Sequence, residues 1–318
     1  MRLAHLHIPH LVPFTYASHL QQTLVSRFLA HKKLYDTSSI SPTHLQPPPP
    51  DPTILTFTPH SVYTTGRRDL PPTASTDPDQ ANGLNIPTPL HPIRHLLTPT
   101  SSQPAIAEFH PTLRGGQTTY HGPGQLVAYT ILDLRRLRLG PRQHIRLLER
   151  SVLDVLDGYG VEGAGLSDSD PGVWVDMSRS RLRLDRKGKQ EGDVEEEAGE
   201  AVLSKKVAAV GVHLRRNVSS YGIGLNVTEE PMWFFRQIVA CGLEGRGATS
   251  LVGCGVRLGA DGDVMREVAE RFVSAFVRRV NEVGTAEAVD CCCKTGGGVG
   301  IEEVYSIQEQ DVLGDAGE

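Results

Sequence analysis

A surplus of basic charge is missing from this chain. Lysine and arginine together number 32 against 37 aspartates and glutamates, a net charge of -5. That balance supplies no electrostatic footprint for nucleic acid. Long hydrophobic runs are missing too. No stretch approaches the roughly 20 apolar residues needed to cross a bilayer, so the chain reads as soluble, with no membrane partner. Cysteine is scarce: the five are Cys241, Cys254, Cys291, Cys292 and Cys293, an odd count with three adjacent. Such a set is not the paired framework of a small secreted scaffold, and a reducing compartment is the expectation. The triplet has no CxxC spacing and no neighbouring histidine, so it reads as solvated tail and not as a metal site. Acidic residues are absent before Asp36, while Arg2, Arg27, Lys32, Lys33 and five histidines precede it. An acid-poor, basic start fits a mitochondrial targeting segment. It also fits a core-facing first helix, because Leu20, Leu24 and Phe28 recur at helical spacing with Val25 and Leu29 beside them. Ser18 and Gln21 can form a capping box, and the folded helix is favoured.

What the chain does have is turn-forming residues, 32 glycines and 22 prolines, beside 39% hydrophobic and 22% charged residues. Those values allow a packed core with substantial irregular loop. Residues 3–12 read as a strand leading into the first helix. The proline-rich 46–52 is a stiff spacer, and 53–68, rich in Thr, Ile, Val, Phe and Tyr, is a β run. From about 70 to 111 no period is sustained, which predicts a surface insertion. A strand follows at 125–134. Ile145, Leu148, Val152 and Val155 then mark a helix over 143–157 that ends near Gly158. A short strand is expected at 172–175. Residues 178–205 are basic in their first half and acidic in their second with few apolar groups, a mobile loop by composition. Strands at 206–214 and 219–228 are joined by a tight turn at Arg215, Arg216 and Asn217. Residues 263–283 form an amphipathic helix through Val264, Val268 and Phe272, with Val273, Phe276 and Val280 alongside. The pattern predicts one α/β domain over 1–283, a mixed β-sheet flanked by helices with insertions at about 70–111 and 178–205. Residues 284–318 are expected to be a flexible tail.

Three places carry candidate chemistry. "RGGQTTYHGPGQ" puts Arg114, Tyr120, His121 and Gln125 among glycines directly before a strand. Glycine lets a backbone come close to a ligand, so this loop is a candidate ligand wrap. It matches neither GxxxxGK[ST] nor GxGxxG, and phosphate cradling has no specific support. Cys241 lies in the glycine-flanked "VACGLEGRGATSL". A thiol there is open to substrate and near backbone N–H donors, or it is the small buried hydrophobe that most free cysteines are. Lys206 heads the apolar "KVAAVG". It is either an ordinary strand-end lysine in water or, where burial favours the neutral amine, a base.

Together these blocks resemble the lipoyl(octanoyl) transferase family. "TTGRR" with "RGGQTTYHGPGQLVAYTILDLRR", then "KVAAVGVHLRRNVSSYGIGLNV", then "ACGLEGRGATSL" occur in the family's order. The resemblance covers most of 1–280 apart from the insertions. It implies a biotin/lipoate protein ligase-like catalytic domain and an acyltransferase that needs no cofactor and no metal. The implied donor is octanoyl-acyl carrier protein. The implied acceptors are lipoyl domains of 2-oxoacid dehydrogenase E2 subunits and the glycine-cleavage H protein, in mitochondria. It places a catalytic pair on Cys241 and Lys206. It places substrate binding on Arg114, Gly115, Gly116, Gln117, Thr118, Thr119, Tyr120 and His121, on Ala209, Val210 and Gly211, and on Gly222, Ile223 and Gly224. Two departures stand out. Ala240 precedes the cysteine where the family usually has proline, and Lys205 stands beside Lys206 as a second candidate lysine. Arg135, Arg136, Arg138, Arg142 and Arg146 could form a docking patch for acidic partners or a solvated helix face. An ATP-dependent lipoate or biotin ligase, an amidotransferase between lipoyl proteins and a non-catalytic acyl-binding relative are the alternatives.

Overall fold

The computed structural model describes residues 1–37, 47–69, 86–100, 102–167, 170–178, 204–238, 247–259, 263–290 and 300–314. In chain order the elements are β1 (Arg2–Val12), α1 (Phe14–Thr37), β2 (Thr53–Pro59), β3 (Val62–Thr65), a 3-10 turn (Thr88–Ile93), α2 (Arg94–Leu97), β4 (Glu108–Pro111), β5 (Thr119–His121) and β6 (Gln125–Ile131). They continue with α3 (Pro141–Gly158), β7 (Ala164–Leu166), β8 (Gly172–Asp176), β9 (Ser204–Arg215), β10 (Val218–Asn226), α4 (Glu230–Arg236), α5 (Val264–Asp290), β11 (Glu303–Ser306) and α6 (Glu309–Leu313). Among the described residues the strands form an eight-stranded sheet, β11-β1-β2-β6-β10-β9-β8-β7, and a three-stranded sheet, β4-β3-β5. β1 pairs parallel with β11 and β2, whereas β6, β10, β9 and β8 pair antiparallel. This is the mixed sheet flanked by helices that the sequence predicts.

Strand alternation divides the core. Ile54, Leu126, Ala128, Ile223 and Leu225 face α3 and α5, meeting Leu148, Val152, Phe272 and Phe276. Leu55, Phe57, Val127, Tyr129 and Ile131 face the other way, onto Ala17, Leu20, Leu24 and Phe28 of α1. β6 is therefore buried on both faces, which is why it reads as an unbroken apolar run. Pro141 opens α3 at a position where its missing N–H costs nothing, and Gln143 Oε1 accepts the Gly140 N–H at 2.7 Å. The acid-poor start is folded core, with Leu3 and Leu20 fully buried.

Two expectations are corrected. Residues 86–97 are not a structureless insertion: Ile86, Leu90, Ile93, Leu96 and Leu97 bury against Tyr63, Tyr120 and Ile238, while Thr88, His91, Arg94 and His95 stay exposed. Pro87 and Pro89 start a 3-10 turn, where proline is tolerated at the first positions, and Pro92 lies inside it. The tail is ordered over its described part. β11 adds to the edge of β1, the Asn281 amide bonds both the N–H (2.7 Å) and the carbonyl (3.0 Å) of Ile301, and Val312 of α6 packs beside α1. The predicted β run at 53–68 is two strands in different sheets, broken at His60 and Ser61. The expectation of mobility over 178–205 falls almost entirely outside the described residues. So does the cysteine triplet. No helix among the described residues is long and apolar enough to cross a membrane, and none of their His, Cys, Asp and Glu side chains form a group suited to a metal ion.

Candidate active site

The glycine-rich loop is clamped between the two sheets. Arg67 N–H donates to Arg114 O at 3.0 Å, and Gly115 N–H donates to Val212 O of β9 at 2.9 Å. Gly66 permits the approach on one side, because a Cβ there would lie 2.1 Å from the Gly116 carbonyl oxygen. Gly211 permits it on the other, where a Cβ would meet Arg114 Cδ at 3.1 Å and Gly115 O at 3.2 Å. Arg114 is buried and donates to the carbonyl and the hydroxyl of Thr64, both at 2.9 Å. Asp69 closes the clamp, its carboxylate accepting the Thr118 N–H at 2.6 Å and hydroxyl at 2.8 Å.

Under this loop lies a cavity of about 250 Å³. That is close to the lower end of the roughly 300–1,000 Å³ typical of ligand pockets, which suits a small group. Its floor is β9 and β10 at Ala209, Val210, Gly211, Gly222, Ile223 and Gly224, with Gly115, Gly116, Gln117, Thr119 and His121 on the opposite wall. It runs along β9 from Lys206 to Val212, roughly 20 Å of strand at about 3.3 Å per residue. Tyr129, Phe14 and Ile145 add apolar lining. Tyr221 also lines it with φ of 61°, a left-handed conformation that strains an aromatic residue.

The structure thus brings Lys206, Arg114, His121 and the small residues of β9 and β10 to one cavity. Two other expected ligand contacts are placed elsewhere. Thr118 is turned to Asp69. Tyr120 is buried in the aromatic cluster, stacked on Phe234 at 4.2 Å with its hydroxyl 3.0 Å from Ser61 Oγ. Cys241 lies outside the described residues. The described chain stops at Ile238, buried beside Tyr120, and resumes at Gly247, whose carbonyl accepts the Lys206 N–H at 2.9 Å.

Lys206 is half-buried and reaches the cavity, whereas Lys205 is exposed. Lys206 Nζ donates to Pro171 O at 3.3 Å and sits 4.6 Å from the centre of the Trp174 ring. The turn holding Pro171 is itself fixed by a residue that the sequence did not flag. Glu149 of α3 is 1% exposed, and its Oε1 accepts the Gly172 N–H at 2.8 Å while Arg146 faces its other oxygen at 3.1 Å. Glu149→Ala leaves that N–H unpaired. Its expected cost is about 1–3 kcal/mol, read from the denaturant midpoint, and an unchanged midpoint would refute the bond's importance.

Burial, then the Arg114 guanidinium, pull the His121 pKa down to about 4 against a weaker opposing pull from its bond to Gln125. Burial does the same to His144, and burial with His7 and Arg266 to His5, each to about 4. The unfolded chain takes these protons near pH 6.5, so stability is fully present above that pH and falls as pH drops from about 6.5 toward 4. The expected slope approaches three protons' worth in this window. Urea melts at stepped pH check it, and a flat profile would contradict it.

The comparisons with known proteins fit this geometry. Residues 94–276 match the family described as lipoyl protein ligase A/B catalytic domain. The chain belongs to this family. A Schizosaccharomyces pombe protein named "Probable octanoyltransferase" is 33% identical over 233 residues, 73% of this chain and 79% of that one. A Solibacter usitatus "Octanoyltransferase" is 41% identical over 170 residues, 54% of this chain and 61% of that one. A Drosophila melanogaster protein with "lipoyltransferase 2, mitochondrial" in its name is 39% identical over 145 residues, 46% of this chain and 50% of that one. The lipoyl ligase family is enzymatic, and its matched span includes the glycine loop, Lys206 and both cavity strands.

Proposed function

We propose that this chain transfers an octanoyl group from octanoyl-acyl carrier protein to a specific lysine on lipoyl domains of E2 subunits and the glycine-cleavage H protein. The observation that carries the reading is Lys206 lining the cavity formed by the glycine loop and the small residues of β9 and β10, in a chain whose relatives are named octanoyltransferase. The apolar floor takes the acyl chain, and its glycines and alanine let that chain lie along the strand backbone.

In the first step Cys241 Sγ bonds to the acyl carbon and the carrier's thiol departs with the proton. Thioester exchange is nearly neutral in energy, so the acyl group is held reversibly. In the second step the acceptor amine bonds to that carbon, the C–S bond breaks, and the amine proton passes by way of Lys206 to the sulfur. Amide formation is downhill, so no ATP is consumed. Splitting the transfer lets carrier and lipoyl domain use one surface in turn, with Arg135, Arg138 and Arg142 as candidate contacts for acidic partners. A mitochondrial location is proposed from the name of the Drosophila relative. Incubation with octanoyl-acyl carrier protein and a lipoyl domain tests the reading. Octanoylation without ATP is expected. Modification only with ATP and free octanoate would make the chain a ligase.

A further inference from the structure

The cavity histidine ends a chain of buried amides whose direction is forced. Thr249 O is a carbonyl oxygen and only accepts. Asn226 Nδ2 therefore donates to it at 2.9 Å, which leaves Asn226 Oδ1 to accept from Gln125 Nε2 at 2.7 Å. That leaves Gln125 Oε1 to accept, and it lies 2.6 Å from His121 Nδ1. Each amide is oriented by the one before it, and the last places the histidine proton on Nδ1. Gln125 and Asn226 are 2% and 3% exposed, so water does not compete for these bonds. The chain is also tied to the strand bearing Lys206, because Thr249 N–H donates to Lys206 O at 3.0 Å. The His121 ring lines the cavity, and its Nε2 has no hydrogen-bond partner among the described residues.

We infer that His121 presents Nε2 to the cavity as a fixed hydrogen-bond acceptor that orients the attacking lysine amine, with Gln125 and Asn226 as positioning residues that hold its proton on Nδ1. The role of the amine rests on the octanoyl-transfer reading; the proton's position does not. An amine must aim its lone pair at the acyl carbon. An acceptor fixed on one of its N–H bonds fixes that aim, while its proton still leaves by way of Lys206. A neutral His121 in this tautomer has no N–H for an oxyanion, so it orients the nucleophile and does not stabilise the tetrahedral oxygen. Its depressed pKa keeps Nε2 unprotonated in the neutral range. The charged groups that share its cavity are Arg114, Arg68, Lys206 and Asp170.

Nitrogen NMR of the full chain labelled at histidine tests the proton's position directly, with the His121 signal identified by its loss in His121→Gln. The expected pattern at neutral pH is a neutral ring protonated at Nδ1. A ring protonated at Nε2, or an imidazolium, overturns the inference. Transfer assays test the amine's role. Gln125→Glu puts a carboxylate on the Nδ1 proton and favours the imidazolium, so its transfer should gain an acid limb in the neutral range that the unaltered chain lacks. A uniform loss at every pH overturns the orienting role. Failure of the unaltered chain to transfer octanoyl at all would instead remove the functional reading and leave the NMR result standing.

Discussion

Lys206→Met is expected to lower octanoyl transfer by about 10²–10⁴-fold, the span that follows loss of a positioned proton-transfer group. Stability should change little. The substitution removes one 3.3 Å bond to Pro171 and one cation–π contact with Trp174, the latter worth about 0.5–1 kcal/mol at a partly exposed site. Methionine retains most of the apolar stem. Lys205→Met is the control: that side chain is exposed, lies outside the cavity and should leave turnover near the unaltered value. Single-turnover transfer with both variants, beside denaturant melts, separates chemistry from folding. If Lys205 carried the loss instead, the assignment would move one residue back.

Gly66→Ala is expected to impair both stability and transfer, and it acts through backbone. The new Cβ would stand 2.1 Å from Gly116 O, 2.6 Å from Gly116 C and 2.9 Å from Gly115 O. None of these is the end of a flexible side chain, so the 66–68 turn and the glycine loop must separate. Overpacking of this kind costs about 1–3 kcal/mol. The loss of transfer should exceed that loss of stability, because Arg114 and Gly115 hang from the same loop and a shift of about 1 Å at a reacting centre costs on the order of 10²-fold. A thermal melt and turnover on one preparation give both numbers. A variant with unaltered stability and full activity would show that the clamp does not position the site.

The helices and inner strands were legible because each carries a single periodic signal. Val268, Phe272 and Phe276 of α5 and Val152 and Val155 of α3 are buried as their spacing requires. The break between β2 and β3 is marked only by Pro59, and β-forming residues resume at once with Val62, Tyr63 and Thr64, so the run reads as continuous. Residues 86–97 are hidden by Pro87, Pro89 and Pro92, whose loop character masks the apolar residues between them. β11 was hidden behind a glycine-rich and cysteine-rich stretch, and a four-residue strand is too short to show a period. In the site, the loop and Lys206 were visible as local patterns. Glu149 was not, because its partner Gly172 is 23 residues away. Nor was the Gln125–Asn226 bond, which spans 101 residues and leaves no local trace. Thr118 and Tyr120 fall among the expected ligand contacts because a motif names consecutive residues. Alternation along β5 and the pull of Asp69 send those two side chains elsewhere.

The thioester route is checked by the intact mass of the chain after mixing with octanoyl-acyl carrier protein in the absence of ATP, measured beside Cys241→Ala. A gain of one octanoyl group is expected, absent in the variant and discharged when a lipoyl domain is added. No adduct on the unaltered chain, with the lipoyl domain modified only when ATP and free octanoate are supplied, would contradict it.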